Sequence, residues 1–388
     1  MQSQYTFTFV PTRVLGQGFF GVVQQGMWTV QSKLPDEVNQ RIIVGPPTSK
    51  SVTRQVAIKS IPRKRRTRDE CLVSNIPFIQ VEVDILAKHR QHPFINSLYA
   101  VIQERDQVHL VLQYCPGGDL FSLIQAYRLE NPQAYRLDNP QAYHLDNPQA
   151  YRLDNTRADN NSDVDAVIGV STSSAIFYLK AMKFWACEIV VALSDLHASH
   201  IMHGDMKCEN LLIDASGHIR VCDFGLSEAN CRTNCVVGRQ GTDLFMAPEQ
   251  LQHKMCGLAV DTWALGYIFL HMFTPLAPRA HRVSDAVNCN IEALRKSDPA
   301  TQFGRDMNNL IEWLLKVDRR ERATMEDVLA HDAFKDVNWM DVRSKSIDAP
   351  WIPDADADHF DKEFTVLPVK QISADNCTTF TIIPAHTK

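Results

Sequence analysis

A chain of 388 residues, 45% hydrophobic and 22% charged, is long enough to bury a large core in one large domain or in two lobes with tails. A formal net charge of −5 leaves no excess of cations for neutralising phosphates, so neither nucleic acid nor an anionic membrane is an expected partner.

The first stretch, MQSQYTFTFV, has no basic leader followed by an apolar run, so no signal peptide is expected. From there to Cys115 the chain reads as strands. The run FTFVPTRVLGQGFFGVVQQGMW is rich in β-branched and aromatic residues, and QVAIKSI and VHLVLQY have the look of short buried strands. Within the first run, Gly16, Gly18, Gly21 and Val23 fit GxGxxGxV between two strands. Glycines suit a backbone that approaches phosphate oxygens without Cβ clashes. Dinucleotide-binding turns share the spacing, but they lead into a helix, and here a strand follows. Residues 32–54 are polar and read as a long loop.

Val56-Ala57-Ile58-Lys59 then puts a lone ammonium in an apolar strand. Alone, Lys59 reads as a surface lysine on an edge strand; after a glycine-rich hairpin it calls for an anion, such as nucleotide phosphates together with a helix carboxylate. Glu82, in the helical stretch IQVEVDILAKH, is the expected carboxylate, with Glu70 as the alternative. The cluster RKRRTR, Arg63 to Arg68, reads as a solvated face, with a phosphate-docking patch or a nuclear import signal as alternatives.

Four near-identical octapeptides follow from Gln125: QAYRLENP, QAYRLDNP, QAYHLDNP and QAYRLDNT. Their period is far below the ~20 to 50 residues of solenoid repeats. A tandem expansion tolerated in a surface loop is the expected reading, and a docking or oligomerisation segment is the alternative. The stretch RADNNSDVDA beyond it is polar enough to read as disordered. Past residue 173 the pattern turns helical. The most apolar run, Ala175 to Leu196, is interrupted by Lys180, Lys183, Glu188 and Asp195, which marks a buried helix rather than a membrane span. Strands first and helices second imply two lobes.

The segment His203-Gly-Asp205-Met-Lys207-Cys-Glu-Asn210 offers an acceptor for a hydroxyl proton (Asp205), a cation for a transferring phosphoryl group (Lys207) and an amide oxygen for a metal (Asn210). Asp223-Phe224-Gly225 adds a second metal ligand at the end of the strand HIRVC. Each motif alone is weak, but five in this order leave little room for chance. Ten cysteines without a CxxC pair suit reduced thiols in the cytosol or nucleus. Cys231 and Cys235, the closest pair, lie in a polar loop between motifs, where a redox or metal role is the alternative reading, although two thiols do not complete a tetrahedral metal site.

With Ala247-Pro248-Glu249 and Asp261-Thr-Trp-Ala-Leu-Gly completing the set, the chain resembles a eukaryotic protein kinase. That likeness implies an α+β bilobal fold, with a small antiparallel β-sheet lobe carrying one main helix and a larger, mainly helical lobe. It places an extension at 1–9, the kinase domain at 10–335 with insertions at 32–54 and 125–172, and a tail at 336–388. It implies ATP and Mg²⁺ as cofactors and protein substrates as partners. In that scheme Gly16, Gly18, Gly21, Val23, Ala57, Lys59, Glu82, Gln113, Cys115 and Leu212 contact the nucleotide, Asn210 and Asp223 hold the metal, and Asp205 orients the acceptor hydroxyl. It also pairs Arg322 with Glu249 and sets Asp261 beneath the catalytic loop. Lys207 and Thr242 resemble serine/threonine kinases. The presence of Lys59, Asp205, Asn210 and Asp223 favours an enzyme over a nucleotide-binding scaffold, and the APE motif disfavours a small-molecule kinase.

YCPGGDLFSLI and the tail Ala349-Pro-Trp-Ile-Pro353 followed by His359-Phe360-Asp361 look like the AGC group, whose tail brings an aromatic ring, here Phe360, to the nucleotide. The FxxF phrase that ends many such tails is not clearly present, and Phe380 in TTFTII is a poor match. By the same likeness Asp119 and Glu209 favour a basic residue before the phosphoacceptor, while His271 stands at the place of a further acid. Relatives carry an arginine before the catalytic aspartate that binds an activation-loop phosphothreonine. Here the two positions are Gly204 and Gly238, so the loop is expected to be held by packing, by Arg239 or by a partner, with Thr233 the remaining hydroxyl in its centre.

Overall fold

A computed structural model of the chain describes residues 5–18, 21–32, 51–66, 72–130, 172–231, 236–237, 241–242, 245–274, 302–354, 359–360, 362–372 and 376–382. They fall into two compact units, Met1–Pro116 with Asp356–Lys388, and Gly117–Ala355.

The first unit opens with β1 (Tyr5–Gln17), β2 (Val22–Ser32) and β3 (Ser51–Pro62). A short hairpin of β4 (Lys64–Arg66) and β5 (Leu72–Ser74), helix α1 (Ile76–Lys88), and strands β6 (Leu98–Gln103) and β7 (Gln107–Gln113) follow. Period-two alternation builds its core. Phe7 and Phe9 of β1 face inward opposite Val30 and Trp28 of β2, while Val10 and Met27 pair on the outer face. Val56, Ile58, Ala100, Ile102 and Val111 complete that inner layer. The loop expected over 32–54 is shorter at its end: Ser51 to Arg54 belong to β3, where Val52 and Thr53 pair with Val30 and Thr29. Their polar side chains misled the reading because the Thr29 and Thr53 hydroxyls bond each other at 2.8 Å on an exposed sheet face. The remainder of that segment, and Glu70, lie outside the described residues.

The second unit is built on helices α2 (Leu120–Glu130) and α3 (Thr172–Ala198), and the hairpin β8 (Leu211–Ile213) and β9 (Ile219–Val221). Next come β10 (Val236–Val237), α4 (Pro248–Leu251), β11 (Met255–Cys256), which pairs with β10, and α5 (Ala259–Phe273). Helices α6 (Gln302–Leu314), α7 (Met325–Ala330) and α8 (Trp339–Ser344) complete it. Helix α5 is buried on every side from Val260 to Met272, as a helix apolar all round must be. Three of the charges that interrupt α3 are ties to other elements. Lys183 Nζ binds both oxygens of Asp336, Asp195 pairs with Arg343, and Glu188 accepts from Ile219 N and the His218 ring. Among the described residues no helix is long and apolar enough to cross a membrane. The octapeptide array from residue 131, and the polar stretch after it, lie outside the described residues; the first copy begins inside α2.

The tail starts in the second unit, where Trp351 stands edge-on to Trp185 at 6.2 Å. It ends in the first unit with α9 (Lys362–Thr365) beside β1 and β12 (Thr379–Ile382) on the outer edge of β6. The sheet order is therefore β1-β2-β3-β7-β6-β12, antiparallel throughout. Gln24 of β2 clasps the tail backbone, its Nε2 donating to Lys370 O at 3.1 Å and its Oε1 accepting from Lys370 N. Phe380, a poor motif match, is docked all the same. Its ring lies 4.9 Å from that of Phe7 and 6.5 Å from that of Trp28, because strand pairing with Ile102 rather than motif spacing sets its position.

Phe380→Ala should destabilise the first unit by about 2 kcal/mol, below the ~3–5 kcal/mol of a fully buried phenylalanine because the ring is only partly covered. Urea unfolding checks this; an unchanged midpoint would contradict the role given to the ring.

Candidate active site

The first unit holds an ammonium in a tight grip. Lys59 of β3 is buried, and its Nζ lies 2.8 Å from each carboxylate oxygen of Glu82 on α1. Glu82, Ile79, Ile85 and Leu86 share the buried face of that helix, so the carboxylate is carried inward by apolar packing. The expected partner is thus the observed one. Val23 and Ala57 are neighbours in the same sheet: Val23 pairs with Lys59 and Gly16, and Ala57 pairs with Leu112. Gln113 ends β7, and its carbonyl accepts from Asn96 Nδ2; Cys115 is buried beside it.

The three glycines differ in their cause. A Cβ at Gly16 or Gly18 would meet nothing within 4 Å, which leaves the backbone open to a ligand. At Gly21 a Cβ would lie 2.0 Å from the Ser60 carbonyl oxygen, so there the protein's own β3 demands glycine, not a phosphate. Phe360 is stacked on Tyr114 at 5.9 Å with the Arg13 guanidinium 5.0 Å over its ring. Arg13 also donates to Gln25 Oε1 and Tyr114 Oη. Tyr114 opens the phrase YCPGGDLFSLI and Arg13 shortly precedes the glycine-rich turn, but neither motif points to Phe360, and only the fold brings the three together.

The second unit gathers the acid–base groups. Asp205 Oδ1 accepts from the backbone N and the hydroxyl of Thr242, at 2.8 and 2.9 Å, and Lys207 Nζ lies 3.0 Å from Asp205 Oδ2 and 2.7 Å from Thr242 Oγ1. Asn210 Nδ2 donates to Asp205 O at 2.8 Å, which fixes the amide and leaves its oxygen as the end chemically suited to a hard cation. Asp223 follows β9 with φ +62° and is half-buried; Phe224 after it is buried against the His203 ring at 4.9 Å. Leu212 is half-buried on β8, bridged to Asp119. Beneath, Asp261 of α5 accepts from His203 N, Gly204 N and His197 Nε2 at 2.8 to 3.0 Å. Glu249 and Arg322 form a buried two-point ion pair at 2.8 and 3.0 Å, with Arg322 also over the Trp263 ring.

Gly204 has φ +80°, and a Cβ there would lie 2.5 Å from Leu226 O. Opposite it, Gly241 at φ +118° would place a Cβ 3.0 Å from Gly204 O. The two backbones approach so closely that no side chain fits between them, a constraint that loss of an arginine alone does not convey. Gly238, Arg239 and Thr233 lie outside the described residues. One expectation is corrected: Cys231 is disulfide-bonded rather than a thiol, to a partner outside the described residues, whereas Cys115, Cys187, Cys208, Cys222, Cys256 and Cys377 form no disulfide. A search for CxxC spacing passes over such a bond, since pairing depends on where the fold brings two sulfurs.

The chain belongs to the protein kinase domain family, which matches residues 47–138 and 159–334. The break, residues 139–158, takes in the second half of the octapeptide array and ends just beyond it. The chain is 30% identical to serine/threonine-protein kinase Sgk1 of Rattus norvegicus over 300 residues, 75% of this chain and 58% of that protein. It is 28% identical to a probable serine/threonine-protein kinase of Dictyostelium discoideum (76% and 54%) and 27% identical to protein kinase C of Aspergillus fumigatus (74% and 22%). Each of these relatives is itself a protein kinase. The chain spans less than two thirds of the length of each.

Gly204→Arg, which restores the residue usual in the family, should lower the melting temperature by several degrees and reduce activity, since a left-handed residue with a Cβ costs roughly 1–2 kcal/mol before the clash with Leu226 O is counted. Thermal unfolding decides it: an unchanged or higher melting point would show that the backbone has room to spare.

Proposed function

We propose that the protein is an ATP-dependent serine/threonine protein kinase whose activation segment works without the usual phosphate latch. The observation that carries this is the network in which Thr242 and Lys207 converge on Asp205. Phosphoryl transfer asks for positioning and charge neutralisation more than for covalent chemistry by the protein. Asp205, held by Thr242 and Lys207, orients the acceptor hydroxyl and takes its proton, and Lys207 offsets negative charge on the transferring group. Lys59, held by Glu82, binds nucleotide phosphates, and Gly16 and Gly18 let the backbone approach them. Val23, Ala57, Gln113, Cys115 and Phe360, all in the first unit, border the nucleotide base and sugar. Asn210 and Asp223 would hold Mg²⁺ through their side-chain oxygens, and the ion would neutralise phosphate charge.

The peptide side favours a cation. Burial raises the Asp119 carboxyl above its usual range, and hydrogen bonds from Ser122 N and Oγ hold it only partly down. Glu209 is likewise raised, by desolvation and by the nearby Asp119 and Asp205, against the pull of Lys207. Carboxyls that repel one another gain from an incoming arginine. His271 does not add to this: burial and then Arg128 push it down to about 3, so it stands neutral, stacked on Phe121 at 5.4 Å. The preference is therefore expected to be weaker than with a third acid.

The purified full-length chain with ATP, Mg²⁺ and a serine peptide bearing arginine three residues before the acceptor should transfer phosphate, and Asp205→Ala should abolish transfer. Glu209→Gln should raise KM for that peptide roughly tenfold, the size of one lost charge-assisted hydrogen bond, with little change for a peptide lacking the arginine. Nucleotide binding without transfer would defeat the catalytic reading. Activity that phosphatase removes, with the lost phosphate mapped to residues 226–242, would defeat the latch-free reading.

A further inference from the structure

The first octapeptide copy does structural work that the sequence alone conceals. Its residues Gln125 to Glu130 form the last turns of α2. There the Tyr127 ring stacks on Tyr178 of α3, with centroids 4.0 Å apart and planes 15° from parallel. Tyr178 Oη in turn donates to Met272 O at 3.4 Å. The Arg128 guanidinium donates to His271 O at 2.6 Å and to Thr274 O at 3.0 Å. Those carbonyls stand at the C-terminal end of α5, where backbone acceptors lack helical donors and the helix dipole favours a cation. Leu129, between the anchors and the rest of the array, is 80% exposed and takes no part.

Two side chains of the octapeptide are thus read by the fold, a tyrosine and the arginine after it. The second copy repeats both in the same order, as Tyr135 and Arg136 within Gln-Ala-Tyr-Arg-Leu, and so does the fourth as Tyr151 and Arg152. The third has His144, a ring too short to donate to two carbonyls at once. We propose that the Tyr178 ring with the His271 and Thr274 carbonyls forms a socket for a Gln-Ala-Tyr-Arg-Leu segment, and that the second copy, Gln133 to Leu137, is its alternative occupant. The first copy holds the socket because it is continuous with α2, whose Leu120 and Ile124 are buried. To replace it, the second copy must loop out one octapeptide. Loop closure of that length is a modest penalty that grows only slowly with further residues. The array is then a set of spare ligands for one site in the kinase domain rather than an unrelated insertion.

The test uses the full chain, with amide hydrogen exchange and thermal unfolding as readouts. In Tyr127→Ala/Arg128→Ala, protection should rise at least tenfold at residues 133–138. In the quadruple variant that adds Tyr135→Ala and Arg136→Ala that protection should vanish, and the melting temperature should fall by about 4 °C more. Equal melting of the two variants, with residues 133–138 exchanging freely in both, would overturn the proposal; so would failure of the double variant to fold, because the second copy would then have rescued nothing. If protection at 133–138 appeared only in a dimeric fraction, the occupant would be a second chain's copy, and the intrachain assignment would fall.

Discussion

The carboxylate of Asp261 is the point from which the catalytic half of this kinase is built. It sits in the first turn of α5, a helix buried on all sides, and is itself almost fully buried. Such a group is tolerable only with its acceptor sites filled, and it fills them with His203 N, Gly204 N and His197 Nε2. Two successive backbone amides are thereby fixed to the core. The next residue is Asp205, so its direction is inherited from a hydrogen bond made two residues earlier. Asn210 then ties back to Asp205 O, and Cys222 N to Asn210 O, which carries the same reference frame to Asp223. The catalytic loop is thus supported by a carboxylate on a buried helix rather than by another loop.

The pair Lys59–Glu82 follows the opposite logic. A buried ion pair is an uncertain source of stability, because desolvation of both ions offsets their attraction. An apolar pair of similar volume would pack the same place. What the ion pair adds is a cation fixed in position, held by a carboxylate that apolar packing on α1 directs inward; under the proposed function that cation would be ready for a phosphate, which would account for a charged pair in a sheet whose neighbours are Val56, Ile58 and Leu110.

Residues whose chemistry fixes their type were legible in the sequence. Lys59, Asp205, Asn210 and Asp223 stand out because few other residues can do their work at that spacing, and Glu82 follows from the need of a buried lysine for a partner. What stayed hidden depends on distant pairing. Phe380 matches no motif, yet strand pairing sets it on Phe7 and Trp28. Arg13 and Tyr114 lie far apart in the chain and meet only around Phe360. The cause of Gly21 was misassigned because the close approach of Ser60 is a property of sheet register, which no local pattern encodes.

Gly204 shows how a departure from a family pattern changes meaning once geometry is known. As a sequence feature it marks a missing cation. In the fold it is a place where the catalytic loop runs against the Leu226 carbonyl, and its neighbours carry bonds that a phosphate would otherwise support. Met202 and Glu228 exchange backbone hydrogen bonds, Ser227 Oγ donates to His203 O, Cys231 N donates to His200 O, and Thr242 closes onto Asp205. Each joins the start or end of the activation segment to the catalytic loop through groups that no phosphatase can remove. A segment tied to the catalytic loop at both ends needs less from its middle, which is the physical ground for the latch-free reading proposed above, and a side chain at 204 would run into Leu226 O.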